Sequence, residues 1–161
     1  MSDQIIKHLL NDGYRYALAL CQHHAMAEDI LQMAWLGILK VNGPKEKGYL
    51  FRAIRNHFIN QNKRHGLVPM LALGDVSEEE MFNDTNEAFL SAELSSIAME
   101  KALNSLRVLE RELIFLHYYV GYTAQEIADM LEMPRNTVLS NISRSCKKLR
   151  KYFEVDDQEV I

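Results

Sequence analysis

The chain has 161 residues, a hydrophobic content of 48% and a formal net charge of −4, which is enough for one globular domain or two small ones. No apolar run approaches the length that crosses a bilayer, and the first residues lack the basic and apolar regions of a signal peptide. The two cysteines, Cys21 and Cys146, lie far apart, so we expect buried free thiols in a reducing cytoplasm rather than a disulfide framework.

The charge is unevenly distributed along the chain. Residues 1–66 carry a net charge of +4, residues 67–100 carry −8 with no lysine or arginine, and residues 101–161 are neutral with nine charges of each sign. Two basic or neutral blocks therefore flank an acidic connector, and the overall negative charge does not exclude nucleic acid as a partner.

Apolar residues recur at helical spacing, alternating runs are missing, and the predicted fold class is therefore all-α. In residues 1–66 we predict a short helix ending near Asn11 to Gly13, a second from Tyr14 to about His24, and a third from about Met26 to Val41. The apolar positions of this third helix include Ile30, Leu31, Ala34, Trp35, Ile38 and Leu39. A polar loop follows, and a fourth helix is predicted from about Tyr49 to Arg64.

The fourth predicted helix has the side chains of a nucleic-acid surface. Its basic residues can neutralise phosphates, its asparagines can bond base edges, and Tyr49 can stack on an unpaired base. The alternative is an ordinary solvated basic face. The residues predicted to remain outside are Arg52, Arg55, Asn56, Asn60, Lys63 and Arg64.

Residues 67–86 are predicted to form an acidic, flexible linker. Helical spacing resumes from about Asn86 to Leu106 and again from Leu109 to Val120. The acidic tail, residues 154–161, is predicted to be disordered. We therefore expect two small helical domains, residues 1–66 and 87–153.

Residues 122–151 have the pattern of a helix-turn-helix, which places a helix in the DNA major groove. Thr123 and Glu126 form a capping box, the apolar spacing stops at Glu132, and Pro134 suits the start of a second helix. Any capped helical hairpin would share these features. The second helix is predicted to face outward through Arg135, Asn136, Leu139, Ser140, Ser143, Arg144 and Lys147.

The sequence does not favour an enzyme, a metal centre or a cofactor. It shows no nucleophile paired with a base and no glycine-rich phosphate loop. Cys21, His23 and His24 are the nearest approach to a metal-ligand cluster, but their spacing does not place three ligands on one helix face.

Two blocks together resemble a known family. AEDILQMAWLGILK (27–40) followed by YLFRAIRNHFINQNKR (49–64) resembles region 2 of the extracytoplasmic-function (ECF) group of sigma-70 factors. ALNSLRVLERELIFLHYYVGYTAQEIADMLEMPRNTVLSNISRSCKKLR (102–150) resembles region 4 of the same group. The resemblance covers nearly everything but the connector and the tail.

The resemblance implies a transcription initiation factor of the bacterial cytoplasm, associated with the nucleoid when it is bound to polymerase. Asp29 and Gln32 match positions that contact the clamp of the largest polymerase subunit, and Trp35 is either an anchor beside them or part of the core. The second largest subunit, promoter DNA and an anti-sigma factor are the further partners. The residues implied in single-stranded minus-ten binding are Asn42, Lys47, Tyr49, Arg52, Arg55, Asn56, Asn60, Lys63 and Arg64.

The second helix of the helix-turn-helix departs from the family pattern. Asn136, Leu139 and Asn141 stand where basic residues or glycine are frequent. Fewer charges release fewer counterions, so we expect weak minus-thirty-five recognition and recruitment by another DNA-bound protein. The alternatives are an ordinary dimeric helix-turn-helix regulator and a degenerate homologue that only occupies polymerase.

Overall fold

The computed structural model describes residues 2–64 and 97–159, with side chains over 2–64 and 101–153. Every regular element in those residues is helical, so the all-α prediction is confirmed. The chain divides into two compact units, Met1–Ala72 and Leu73–Ile161. The predicted linker, residues 67–86, lies outside the described residues, as does the predicted beginning of the next helix near Asn86.

The N-terminal unit consists of three helices, each packed against the other two. Helix α1 spans Asp3–Cys21, α2 spans His24–Lys40 and α3 spans Lys47–Arg64. Tyr16 and Phe51 lie at the centre, fully buried, with ring centroids 4.5 Å apart. The predicted third and fourth helices correspond to α2 and α3 within a few residues.

The predicted break near Gly13 is wrong, because α1 runs continuously through Asn11, Asp12 and Gly13. Gly13 is buried, and a Cβ added there would lie 2.8 Å from Leu50 Cδ2 and 3.0 Å from Leu31 Cδ1. The glycine thus lets α1 approach its two neighbours closely. Its sequence signal resembled a turn, but its structural reason is helix packing.

In the C-terminal unit, α4 spans Ile97–Asn104 and α5 spans Val108–Ile114. Helix α5 continues into a π-helical turn, Phe115–Val120, which ends at Gly121 with φ 91°. Helix α6 spans Ala124–Leu131 and α7 spans Arg135–Glu159. Helices α5 and α6 both pack against α7.

The predicted helix-turn-helix is confirmed in its local geometry. The Glu126 N–H donates to Thr123 Oγ1 at 3.1 Å, and the Thr123 N–H donates to the Glu126 carboxylate at 3.4 Å, which completes the capping box. Glu132 takes the left-handed conformation, and the Met133 N–H donates to the Ala128 carbonyl at 2.9 Å. This closure ends α6 one turn before α7 begins.

The core of this unit is formed by the inward faces of α5, α6 and α7. Leu113, Ile127, Val138 and Ile142 are fully buried. Helix α7 continues to Glu159, so the prediction of a disordered tail from residue 154 is wrong up to that residue.

Candidate polymerase and nucleic-acid interfaces

One face of α3 presents a row of polar and basic side chains to solvent. Arg52, Asn56, Asn60 and Lys63 are all exposed, and their spacing of three or four residues places them in line on the helix. We call these four residues the α3 row. The apolar positions between them, Ile54 and Phe58, are buried and fix the orientation of the helix.

Not every predicted minus-ten residue belongs to the α3 row. Arg64 is exposed at the end of the helix, whereas Arg55 is half-buried and engaged in a contact within the protein. Tyr49 is 42% exposed at the other end, one turn before Arg52. The α3 row is thus flanked by an accessible aromatic ring at one end and by the Arg64 cation at the other.

The loop before α3 is held in a defined conformation. Asn42 has φ 49°, and the Tyr49 ring lies so close to Gly43 that an added Cβ would meet its Cε1 atom at 3.1 Å. Lys47 Nζ pairs with the Asp12 carboxylate of α1 at 3.1 Å. Lys47, a predicted DNA-binding residue, therefore has an intramolecular role in fixing the start of α3 to α1.

The solvent-exposed face of α2 carries several apolar side chains. Asp29 and Gln32 are exposed as predicted for a partner-binding face, and Trp35 is half-buried at its edge. Beside them, Met33 is 43%, Leu36 56% and Leu39 46% exposed. We call Met33, Leu36 and Leu39 the α2 apolar face.

Sequence reasoning missed most of that face. Leu39 was predicted to belong to the apolar face of this helix with Ala34 and Ile38, but it is 46% exposed, because Ala34 and Ile38 fill the core side. Met33 and Leu36 fell outside the predicted apolar stripe and were not singled out. The available signal was that apolar residues lie nearly all round this helix. A three-helix unit cannot bury that much apolar surface on one helix, so some of it must remain exposed.

An open depression lies where the start of α2 meets the end of α3. It is lined by His23, Ala25, Met26, Asp29, Gln61 and Arg64. Asp29 of the predicted polymerase face and Arg64 of the predicted DNA face thus border the same depression.

The predicted DNA-reading face of α7 is only partly available. Arg135, Asn136 and Lys147 are exposed, and Leu139 is half-buried. The prediction that Ser140 and Ser143 face solvent is wrong, because they are 7% and 1% exposed. Arg144 is half-buried, and its Nη2 atom is shielded from solvent.

Three further contacts engage polar groups of α7 within the unit. The Asn141 side-chain amide donates to the Thr137 carbonyl at 2.8 Å, and the Ser145 hydroxyl donates to the Asn141 carbonyl at 2.6 Å. Lys148 Nζ pairs with Glu110 of α5 at 2.8 Å. The two local bonds occupy the Asn141 and Ser145 donors with backbone carbonyls, and the ion pair links α7 to α5.

Comparison with known proteins identifies the family of both units. The model for sigma-70 region 2 matches residues 5–67, and the model for sigma-70 region 4 matches residues 96–149. Together they span well over half of the chain, in the order region 2 then region 4. This chain belongs to the sigma-70 family, in its ECF group.

Individual ECF sigma factors are similar over most of their length. The ECF RNA polymerase sigma factor SigM of Bacillus subtilis is 22% identical over 158 residues, covering 94% of each chain. SigL of Mycobacterium tuberculosis is 27% identical over 143 residues, covering 85% of this chain and 80% of its own. SigX of Bacillus subtilis is 23% identical over 163 residues, covering 93% and 82%.

A solved structure shares the fold. The sigma factor RpoE of Bartonella quintana, crystallised with the anti-sigma factor NepR, matches with a TM-score of 0.69 and 23% identity, covering 95% of this chain and 96% of that one. The N-terminal unit thus corresponds to region 2 and the C-terminal unit to region 4. Within residues 2–64 and 97–159, no helix combines the length and the apolar content needed to cross a membrane.

Proposed function

We propose that this sigma-70 family member acts as an ECF sigma factor that binds core RNA polymerase and directs it to promoters. The observation that carries the proposal is the pairing of two different surfaces on one three-helix unit. The α2 apolar face suits a protein partner, and the α3 row suits a nucleic-acid strand. Neither an enzyme nor a simple duplex reader needs both.

The α2 apolar face supports docking on polymerase through burial of hydrophobic area. Leu36 is 56% and Met33 43% exposed in the free chain. Full burial of a fully exposed side chain of this size contributes about 1.5–3 kcal/mol, so the area that each still exposes contributes roughly half of that. Asp29 and Gln32 lie on the same side of the helix and add charged and polar contacts at its border. This arrangement is typical of an apolar interface core with a polar rim.

The α3 row supports binding of the minus-ten element as single-stranded DNA. Arg52 and Lys63 can each neutralise a phosphate, while Asn56 and Asn60 can bond base edges. Tyr49 offers a ring on which an unpaired base can stack. Melting follows where such contacts offset the cost of unstacking, which is a few kcal/mol per base.

Region 4 is proposed to read the minus-thirty-five element weakly. Of the seven residues predicted to face DNA, Arg135, Asn136 and Lys147 are exposed, and only two of them carry charge. Because affinity for duplex DNA depends on the number of neutralised phosphates, this face has little electrostatic attraction of its own. Leu139 remains available for a thymine methyl or for a protein contact.

The weak region 4 surface makes recruitment through a second DNA-bound protein part of the proposal. An anti-sigma factor is the other proposed partner, by similarity to the Bartonella quintana sigma factor solved with one. The proposed site of action is polymerase on the bacterial nucleoid.

The test is transcription from fragmented genomic DNA with sigma-free core polymerase, comparing the wild-type chain with Leu36→Glu. The charge at the centre of the α2 apolar face should lower polymerase affinity at least tenfold and abolish discrete RNA starts. Ile5→Glu is the matched control, because Ile5 is also 56% exposed but lies on α1. It should leave transcription unchanged.

The outcomes separate the alternatives. Discrete starts that share an upstream motif establish a sigma factor. Polymerase binding without any starts favours a homologue that only occupies polymerase, and a chain that does not bind polymerase at all is a simple regulator. Equal loss of activity in Leu36→Glu and Ile5→Glu would contradict the assigned docking surface.

A further inference from the structure

The corner between α1 and α2 has an unusual cap. Gln22 ends α1 in the left-handed conformation with φ 56°, and His23 is extended with φ −139° and ψ 120°. The Met26 N–H donates to the His23 ring nitrogen Nδ1 at 3.2 Å. Serine, threonine, aspartate and asparagine normally provide this acceptor, whereas here it is an imidazole.

That hydrogen bond requires one protonation state of the ring. A backbone N–H can only donate, so Nδ1 must carry a lone pair and the ring must be neutral. Protonation would convert Nδ1 into a donor, which removes the cap. It would also place a positive charge at the positive end of the helix dipole, where α2 has no acidic residue in its first turn.

Groups from all three helices surround His23. Asp29 of α2 and Arg64 of α3 line the same depression as the ring, and they act in opposite directions on a positive charge there. From α1, Cys21 Sγ donates to the His23 carbonyl at 3.4 Å. None of these groups alters the requirement that the atom facing the Met26 amide be an acceptor.

The neighbouring histidine lacks this requirement. His24 Nδ1 is paired with the Tyr14 hydroxyl at 2.5 Å, and the two rings stack with centroids 6.2 Å apart. A hydroxyl can donate to a neutral ring or accept from a charged one, so the pair persists in both states. Of these two adjacent histidines, His23 is therefore the one whose bond depends on protonation.

We propose that His23 is a proton-sensitive cap, which orders the first turn of α2 when neutral and releases it when charged. His23 is exposed, so solvent protons reach its ring. The stabilisation is present while the ring is neutral and is lost when the ring is protonated. An effect of this switch on polymerase docking would rest on the proposed function, whereas the effect on α2 does not.

The test measures unfolding of the full chain in urea at pH 8 and pH 5.5, followed by the fluorescence of Trp35, the one tryptophan in the sequence, which lies on α2. His23→Asn keeps a cap that does not titrate. The ratio of the wild-type unfolding constant to that of His23→Asn should rise about fivefold from pH 8 to pH 5.5, as expected for loss of a side-chain cap. His23→Ala should be less stable than His23→Asn by the same amount at pH 8 and at pH 5.5.

Two further measurements complete the test. The Met26 amide should lose protection from hydrogen exchange at pH 5.5 in the wild type but keep it in His23→Asn. His8→Gln, which removes an exposed histidine elsewhere on α1, should retain the wild-type pH dependence. Parallel pH profiles for the wild type and His23→Asn would overturn the proposal, and since no polymerase or DNA is present, that result would leave the proposed function untouched.

Discussion

At the scale of single residues, what matters on α3 is which cations are exposed. Arg52 and Lys63 belong to the α3 row, whereas Lys47 is paired with Asp12 at 3.1 Å and Arg55 is half-buried. Truncating Lys47 or Arg55 would therefore mix any loss of DNA contact with a change in stability. Arg52 and Lys63 are the better probes of the DNA surface.

We expect Lys63→Ala and Arg52→Ala each to reduce promoter opening and its dependence on salt. Each lost phosphate contact should lower the slope of log affinity against log salt by about 0.7 for single-stranded DNA. The measurement is open-complex formation at a series of salt concentrations. Lys7→Ala removes an exposed cation from α1 and should leave the slope unchanged. An unchanged slope in both α3 variants would remove the row from the DNA surface.

At the scale of elements, two glycines inside helices illustrate opposite situations. Gly13 of α1 faces Leu50, Leu31 and Ile54 at distances that leave no room for a Cβ, while Gly37 of α2 has nothing within 4 Å of such an atom. Helix propensity favours alanine over glycine by about 1 kcal/mol at both positions. Only at Gly13 does packing oppose the substitution of glycine by alanine.

Gly37→Ala should raise the free energy of unfolding by about 0.4–1 kcal/mol, because the unfolded chain loses flexibility at no cost to the folded one. Gly13→Ala should lower it by about 1 kcal/mol, since overpacking a filled core costs about 1–3 kcal/mol and exceeds the gain in propensity. Urea unfolding followed by Trp35 fluorescence measures both. The assigned close approach of the helices would be contradicted if Gly13→Ala were as stable as Gly37→Ala.

At the scale of the whole molecule, the two units are unequally equipped for DNA. The N-terminal unit presents the α3 row, while the C-terminal unit turns Ser140, Asn141 and Ser143 inward. Promoter selection should therefore depend mainly on region 2.

We expect the RNA 5′ ends made by this chain with core polymerase to share a minus-ten motif and no strong minus-thirty-five motif. The reason is that, of the α7 positions predicted to face DNA, only Arg135 and Lys147 are exposed cations, and fewer neutralised phosphates mean weaker duplex binding. Genome-wide mapping of the starts is the measurement, with a sigma factor that reads both elements as the reference. A sharp minus-thirty-five motif would contradict the weak region 4 surface, and so would tight sequence-specific duplex binding by residues 87–153.

Much of this protein was determined by local sequence. The apolar spacing predicted α2, α3 and the helix-turn-helix, and Thr123 and Glu126 fixed the start of α6, because capping involves only residues three apart. The resemblance to sigma-70 regions 2 and 4 depended on the same local blocks. The polar spacing of Arg52, Asn56, Asn60 and Lys63 was likewise sufficient to predict one exposed face.

Only the tertiary structure decided the rest. The sequence predicts a turn at Gly13, but in the structure Leu50 and Ile54 pack against it within a helix. The sequence predicts Leu39 on the apolar face, but Ile38 occupies the core side of that helix. Ser140 and Ser143 read as exposed because they are small and polar, but their burial depends on packing that their own sequence does not record. In each case the burial of a residue depends on a neighbour that is distant in sequence or that competes for the same core space. Spacing along a single helix does not reveal which residue fills that space.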